Sequence, residues 1–214
     1  MEKCDSMRSQ QSALLVSVII ALGLLLRLAN LSSESLWRDE ISSVEIARLP
    51  LQAIFDNRAS DVHPPFYYLI LHYWVAAWGT SEFAVRLLSV LFGSVALWPM
   101  YKIGSLLFNR NVGILATLML ALAEFHVSYS QETKGYSLML LLTVLSFYFF
   151  IRLIKEGGYR VAGNYLLASV LLLYTHAYGH FLVISQSAFF FCSFCPKAIV
   201  WPVWANGFSF RSYC

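Results

Sequence analysis

The sequence predicts an all-helical integral membrane protein of about six transmembrane helices, with a long first outer loop that carries juxtamembrane helices. Three observations predict it. Hydrophobic residues make up 58% of the chain and charged residues only 13%, against about a quarter charged in soluble domains. Mean hydropathy is +0.63, and apolar runs near the roughly 20 residues that cross a bilayer recur along the chain. One long polar interval, Trp37 to Arg86, interrupts them and holds six of the twelve carboxylates: Asp39, Glu40, Glu45, Asp56, Asp61 and Glu82.

Residues 12–31 form the first span, behind Lys3 and Arg8. The run continues into Arg27 and Asn30 rather than the small residues of a cleavage site, so it reads as an uncleaved helix. The outer loop, 32–81, follows. Within it Ile41, Val44 and Ala47-Arg48 sit at helical spacing, as do Leu51, Ile54 and Phe55 after Pro50. These read as two short amphipathic helices in the interface, apolar face down; the alternative is a solvated linker with chance spacing.

Residues 66–78 are apolar and aromatic, yet thirteen residues make a helix of about 20 Å, short of a hydrocarbon core of about 30 Å. Tyr67, Tyr68, His72, Tyr73, Trp74 and Trp78 suit the headgroup level, and Pro64 and Pro65 suit a helix start. The later spans are 83–101, 112–127, 136–154, 162–178 and 180–195, joined by short polar connections. Domain organisation follows: residues 1–195 form the membrane domain, and 196–214 read as an atypical tail. Pro196 and Pro202 interrupt any helix there, and a truncated or frame-shifted end is expected.

Charge parity sets the sides. If 66–78 does not cross, Lys3, Arg8, Lys102, Arg110, Arg152, Lys155 and Arg160 share the cytoplasmic face, and the short outer loops hold only Lys134. If it crosses, five of these move outside, inverting the bias of Lys and Arg toward the cytoplasm. The expected protein is therefore multi-pass, in the plasma or inner membrane, with a cytoplasmic N-terminus. Asp39, Glu40, His63, Arg86, Glu124, His126, Gln131, Glu132, Lys134, His176 and His180 then all fall at the extracytoplasmic face. A pump or channel more often places such groups at mid-bilayer; convergence at one interface fits work on a lipid headgroup.

Other classes find little support. The net charge of +3 is small and spread out, so no nucleic-acid partner is expected. Cys192-x-x-Cys195 has no histidine or second cysteine pair nearby to make a metal or redox site. His176 and His180 stand at i and i+4, a chelating spacing, but without a third ligand they read as interfacial histidines. No cofactor is fixed, and a divalent metal is left open.

The candidate chemistry starts at Asp39-Glu40. Adjacent helical residues point about 100° apart, so the two carboxylates should not share one job. One can face a pocket, where it would accept a proton from an attacking hydroxyl, while the other fixes its neighbours; two solvated charges are the plain alternative. The prolines after His63 either punctuate two helices or leave His63 to contact a phosphate. Arg86 either snorkels outward or holds a lipid phosphate. The polar turn Tyr129–Tyr136 serves chain reversal and supplies Gln131, Glu132 and Lys134.

Five blocks occur in order: Leu36-Trp37-Arg38-Asp39-Glu40; Asp61-Val62-His63-Pro64-Pro65-Phe66-Tyr67-Tyr68; Gly79-Thr80-Ser81-Glu82-Phe83-Ala84-Val85-Arg86-Leu87; Tyr129-Ser130-Gln131-Glu132-Thr133-Lys134-Gly135-Tyr136-Ser137-Leu138; and Tyr174-Thr175-His176. Together they resemble the polytopic glycosyltransferases of the protein O-mannosyltransferase and aminoarabinose-transferase type, the GT-C fold of glycosyltransferase family 39. The resemblance covers the N-terminal part of such an enzyme, whose relatives continue through further membrane helices. It implies transfer of a sugar from a polyprenyl-phosphate-linked donor to an acceptor protein, lipid or glycan at the outer face. Asp39 would be the catalytic base and Glu40 its structural partner, with His63 at the carrier phosphate. Arg86, Gln131, Glu132, Lys134 and His176 would be further substrate-binding residues. Lys134 stands where relatives commonly show arginine, so a point charge replaces a bidentate fork. The rival expectation is a catalytically silent membrane protein that keeps the fold and binds the lipid carrier or a partner.

Overall fold

A computed structural model describes residues 2–56 and 64–194 of the chain. His63, the remainder of 57–63 and the tail 196–214 with Cys195 lie outside the described residues. The described residues form eleven helices: α1 (Glu2–Leu28), α2 (Arg38–Arg48), α3 (Leu51–Asp56), α4 (Phe66–Trp78), α5 (Glu82–Val95), α6 (Leu97–Leu107), α7 (Arg110–Leu122), α8 (Glu124–Ser130), α9 (Tyr136–Glu156), α10 (Tyr159–Leu173) and α11 (Gly179–Phe194). Two compact units meet in sequence at His180 and Phe181. The site described below lies wholly in the first; α11 is apolar around its circumference, with Phe181, Ile184, Phe189 and Phe191 exposed.

Three helices are long and apolar enough to cross a bilayer: Gln10–Leu28, the continuous Glu82–Leu107, and Tyr136–Glu156. The pair α7–α8 counts as a fourth if its bent halves form one span, and Tyr159–Leu173 and Gly179–Cys192 are shorter apolar helices. The six apolar segments of the sequence are thus all helical, and the protein is of multi-pass membrane type. Two depart in detail from the expected spans. The segment expected as one rod over 112–127 bends by 59° at Ala123, and the helix expected over 162–178 closes at Leu173, after which backbone turns carry Tyr174 to His180.

A buried arginine accounts for the bend. A helix that stops inside an apolar layer leaves carbonyls without partners, a cost of several kcal/mol each in lipid. Arg27, at the end of α1 and fully buried, supplies them. Its Nη1 donates to Ala121 O at 3.2 Å and Gly23 O at 2.7 Å, and its Nη2 to Leu120 O at 3.4 Å. Nε donates to Ser130 Oγ at 3.3 Å, and Nη2 meets His126 Nδ1 at 2.7 Å. The same ring nitrogen lies 3.0 Å from Leu120 O, so Arg27 and His126 converge on one carbonyl at the end of α7.

The short helices α2 and α4 pack together at the end where the first span leaves its layer. Burial falls on Glu40, Ser43, Val44 and Ala47 of α2, the i, i+3, i+4, i+7 stripe of one helical face. Ile41, Leu51 and Phe55 stay exposed, while Ile54 is buried. Polar side chains lock the arrangement: His72 Nδ1 donates to Ala47 O at 2.7 Å, and Trp74 Nε1 to Ala84 O at 2.7 Å. Helix α4 follows Pro64-Pro65 and ends at Gly79, whose φ of 79° is a left-handed turn that a side chain would strain. Ser81 then caps α5 by accepting from the Ala84 amide at 3.3 Å.

Helices α6 and α7 form a tight hairpin because Gly104 and Gly113 let the backbones touch. A Cβ on Gly104 would stand 2.7 Å from Gly113 Cα, whereas one on Gly163 of α10 meets nothing within 4 Å. Gly104→Ala should therefore lower stability by about 1–3 kcal/mol, while Gly163→Ala should leave it unchanged or raise it by up to about 1 kcal/mol. Melting temperatures of the two variants in detergent check this pair.

Candidate functional site

The site grows from Glu40. Trp37 adopts extended backbone and opens α2, so Glu40 is the third helical residue, where a carboxylate can reach back to the cap amide. Its Oε2 accepts from the Trp37 N–H at 3.3 Å. The same carboxylate takes Arg86 in bidentate fashion, Nε to Oε1 at 2.9 Å and Nη2 to Oε2 at 2.7 Å. The Thr133 amide donates to Oε1 at 2.8 Å. Burial pushes the Glu40 carboxyl up, but the Arg86 guanidinium and the Thr133 amide outweigh it and hold its pKa below the usual 4.5.

Arg86 is fully engaged. Nη1 donates to Leu31 O at 2.9 Å and Glu34 O at 2.8 Å, and Nη2 also donates to Ser35 O at 3.3 Å. With the two bonds to Glu40, all five of its N–H groups have acceptors within the protein. Arg86 thus pins the connection between α1 and α2 to the second turn of α5.

Asp39 has different surroundings. It is exposed, and its carboxylate has no hydrogen-bond or ion-pair partner among the described residues; its carbonyl accepts from Ser43 Oγ at 2.9 Å. It lies within electrostatic reach of Glu132 and Tyr136, because the Glu40–Thr133 bond sets the start of α2 against the 131–135 turn.

That turn alternates. Gln131 Nε2 donates to Arg27 O at 3.1 Å and Ala29 O at 2.8 Å, gripping the last carbonyls of α1. Thr133 is buried on Glu40. Glu132 and Lys134, the residues between and after these anchors, remain half-buried. Burial first, then the nearby Glu40 and Asp39 charges, raise the Glu132 pKa against the opposing effect of Lys134 and Arg86. Lys134 Nζ has no ion pair among the described residues.

Lys134 opens onto a pocket lined also by Pro64, Tyr67, Tyr68, Gly135, Tyr136, Thr175 and His176. The Phe66 amide donates to Tyr174 O at 3.1 Å, joining the start of α4 to the turn that bears His176. The His176 ring stacks on Tyr178 with centroids 5.1 Å apart, and its Nδ1 accepts from the Tyr178 amide at 3.2 Å. The proton therefore sits on Nε2.

The sequence candidates thus separate. Lys134 and His176 share a pocket, with Asp39 and Glu132 in electrostatic reach of its Tyr136 wall. Glu40, Arg86 and Gln131 bind other parts of the protein. His63 lies outside the described residues, though its neighbour Pro64 lines the pocket. His180 is exposed and donates Nδ1–H to Ala177 O at 3.0 Å; among the described residues no three of His, Cys, Asp and Glu gather as a metal site. Two features are not evident from the sequence motifs: the tyrosine walls, and the clamp on Arg27, whose signal is a lone arginine in an apolar run.

Two comparisons bear on this geometry. The family model described as dolichyl-phosphate-mannose-protein mannosyltransferase matches residues 62–193, more than half of the chain. No curated protein matches.

Removing one partner of a buried ion pair costs about 3–5 kcal/mol, whereas replacing both by apolar residues can be nearly neutral. Arg86→Met should show the former and Glu40→Leu/Arg86→Met a partial recovery, read as melting temperatures in detergent. Because the folded pKa of Glu40 is depressed, its contribution is present above 4.5 and is lost as pH falls through the folded value. Glu40→Gln should flatten that acid limb of the stability profile; an unchanged limb would assign it to another group.

Proposed function

The chain belongs to the dolichyl-phosphate-mannose-protein mannosyltransferase family, and we propose that its site moves a sugar from a polyprenyl-phosphate-linked donor to an acceptor hydroxyl at the extracytoplasmic face. Membership makes the protein a membrane glycosyltransferase of GT-C type; donor, face and base are the proposal. The observation that supports it is that Asp39, without a side-chain partner among the described residues, lies within electrostatic reach of Tyr136, which lines the pocket with Lys134 and His176.

The acceptor oxygen attacks the anomeric carbon as the bond from that carbon to the phosphate oxygen breaks. Asp39 takes the hydroxyl proton, and the electron pair leaves with the lipid phosphate. Lys134 and the Nε2–H of His176 meet the charge that grows there, in a pocket whose tyrosine walls limit competing water. His63, next to Pro64, joins them at the phosphate. Glu132 borders the path of the acceptor, with burial and the nearby Glu40 and Asp39 charges raising its pKa.

Arg86, Glu40 and Gln131 act in this reading as positioning residues rather than as substrate ligands. They fix the first turn of α2 and the 131–135 turn, and so set where Asp39 and Lys134 stand. Charge parity supports the outer face, because this side leaves Lys102, Arg110, Arg152, Lys155 and Arg160 together on the other.

Asp39→Asn should lower sugar transfer from a polyprenyl-phosphate-sugar by about 10²–10⁴-fold without moving the melting temperature, since Asp39 is exposed. Lys134→Gln should raise the donor KM more than it lowers kcat. Equal transfer by wild type and Asp39→Asn removes Asp39 as the base. Carrier binding with no transfer by either protein marks a silent binder.

A further inference from the structure

At the end of the helices remote from the Lys134 pocket, we infer a binding site for the headgroup phosphate of an anionic phospholipid, built around Lys102. The α5–α6 rod and α9 run in the same direction away from the pocket end, where Ser89 Oγ of α5 donates to Lys134 O just ahead of α9 at 3.4 Å. Their far ends stay level: Lys155 Nζ donates to Leu106 O at 2.5 Å.

About one to two turns short of those ends, each helix carries the same device, an aromatic ring followed four residues later by a cation. On α6 these are Trp98 and Lys102, and on α9 Tyr148 and Arg152. Lys102 Nζ lies 5.2 Å from the Trp98 centroid and 5.8 Å from that of Tyr101. The Arg152 guanidinium lies 5.7 Å from the Tyr148 centroid. Trp98 and Tyr148 meet edge to face, with centroids 6.1 Å apart and planes at 69°. The two cation–ring pairs are therefore one feature spanning two helices.

Charge tells what it takes. Residues 101–111 and 152–160 hold Lys102, Arg110, Arg152, Lys155 and Arg160 against Glu156 alone. Glu156 is already bound to Arg152 in an i, i+4 pair, and Lys102 has no carboxylate partner among the described residues. Ring faces fix the Lys102 ammonium without neutralising it, so an arriving anion meets a positioned charge. The ligand is a membrane lipid rather than free phosphate because Trp98, 46% exposed, faces outward from a spanning helix. An indole there meets acyl chain and glycerol while the cation one turn further out meets phosphate. This site is independent of sugar transfer and stands or falls apart from it.

The test is lipid retention by the purified full chain in micelles containing equal phosphatidylglycerol and phosphatidylcholine, read by native mass spectrometry. The wild type should retain phosphatidylglycerol preferentially. Lys102→Gln should cut that preference about 5-fold, from roughly 1 kcal/mol per cation. Trp98→Leu, which keeps every charge, should also cut it, and Arg160→Gln should have a smaller effect than Lys102→Gln. Soluble glycerophosphoglycerol should fail to displace the lipid. Absence of any preference in the wild type overturns the proposal. So does a Lys102→Gln effect no larger than that of Arg160→Gln, with Trp98→Leu silent; the preference then belongs to the basic surface at large. Melting temperatures in phosphatidylcholine micelles separate either result from misfolding.

Discussion

Glu40 loses its hydration completely on folding, and four donors replace the water: two from Arg86, one each from the amides of Trp37 and Thr133. An uncompensated buried carboxylate would cost far more than a small membrane protein has to spare, so each of those donors must arrive in place. The consequences spread outward. Arg86 is drawn into α5 with its remaining N–H groups on the connection from α1, the start of α2 is fixed, and the 131–135 turn is brought against it. Position 39, one residue away and about 100° around the helix, is left facing water beside that turn.

A second buried charge does the same for the opposite side of the turn. Arg27 meets no carboxylate among the described residues; it satisfies the carbonyls freed where α7 breaks into α8, and Gln131 in turn grips the carbonyls that end α1. The turn is therefore held at alternate residues, Gln131 and Thr133, and the side chains of Glu132 and Lys134 between and after them stay half-buried. Holding the turn at Gln131 and Thr133 fixes where Lys134 stands, and position matters at a reacting centre, where a displacement of about 1 Å can cost two orders of magnitude.

Local features of this arrangement were legible in the sequence. Helix α4 has the bounds that its apolar run and preceding prolines indicated, Phe66–Trp78, and α2 and α3 occupy the stretches whose spacing marked them. What was illegible depends on distant partners. Nothing near Arg86 distinguishes a guanidinium held by Glu40 from one waiting for a lipid phosphate, since the deciding acceptors lie 46 to 55 residues away. The break at Ala123 carries no proline or glycine, and only the arrival of Arg27, 94 residues earlier than Ala121, makes it tolerable. Ile41 marked an apolar face by spacing, yet burial on α2 centres on Glu40, Ser43, Val44 and Ala47 because α4 packs on that side.

The Glu40 cluster also imposes a schedule. Arg86 lies 46 residues after Glu40 and Thr133 lies 93 after it. At a synthesis rate of about 5–20 residues per second, Glu40 waits roughly 2–9 s for its guanidinium and roughly 5–19 s for the amide of the turn. During that interval its charge is uncompensated and keeps the start of α2 in water. The start of α2 can take its place against α5 and the 131–135 turn only after both donors have been made, so the order of assembly is written into the distance between one carboxylate and its donors.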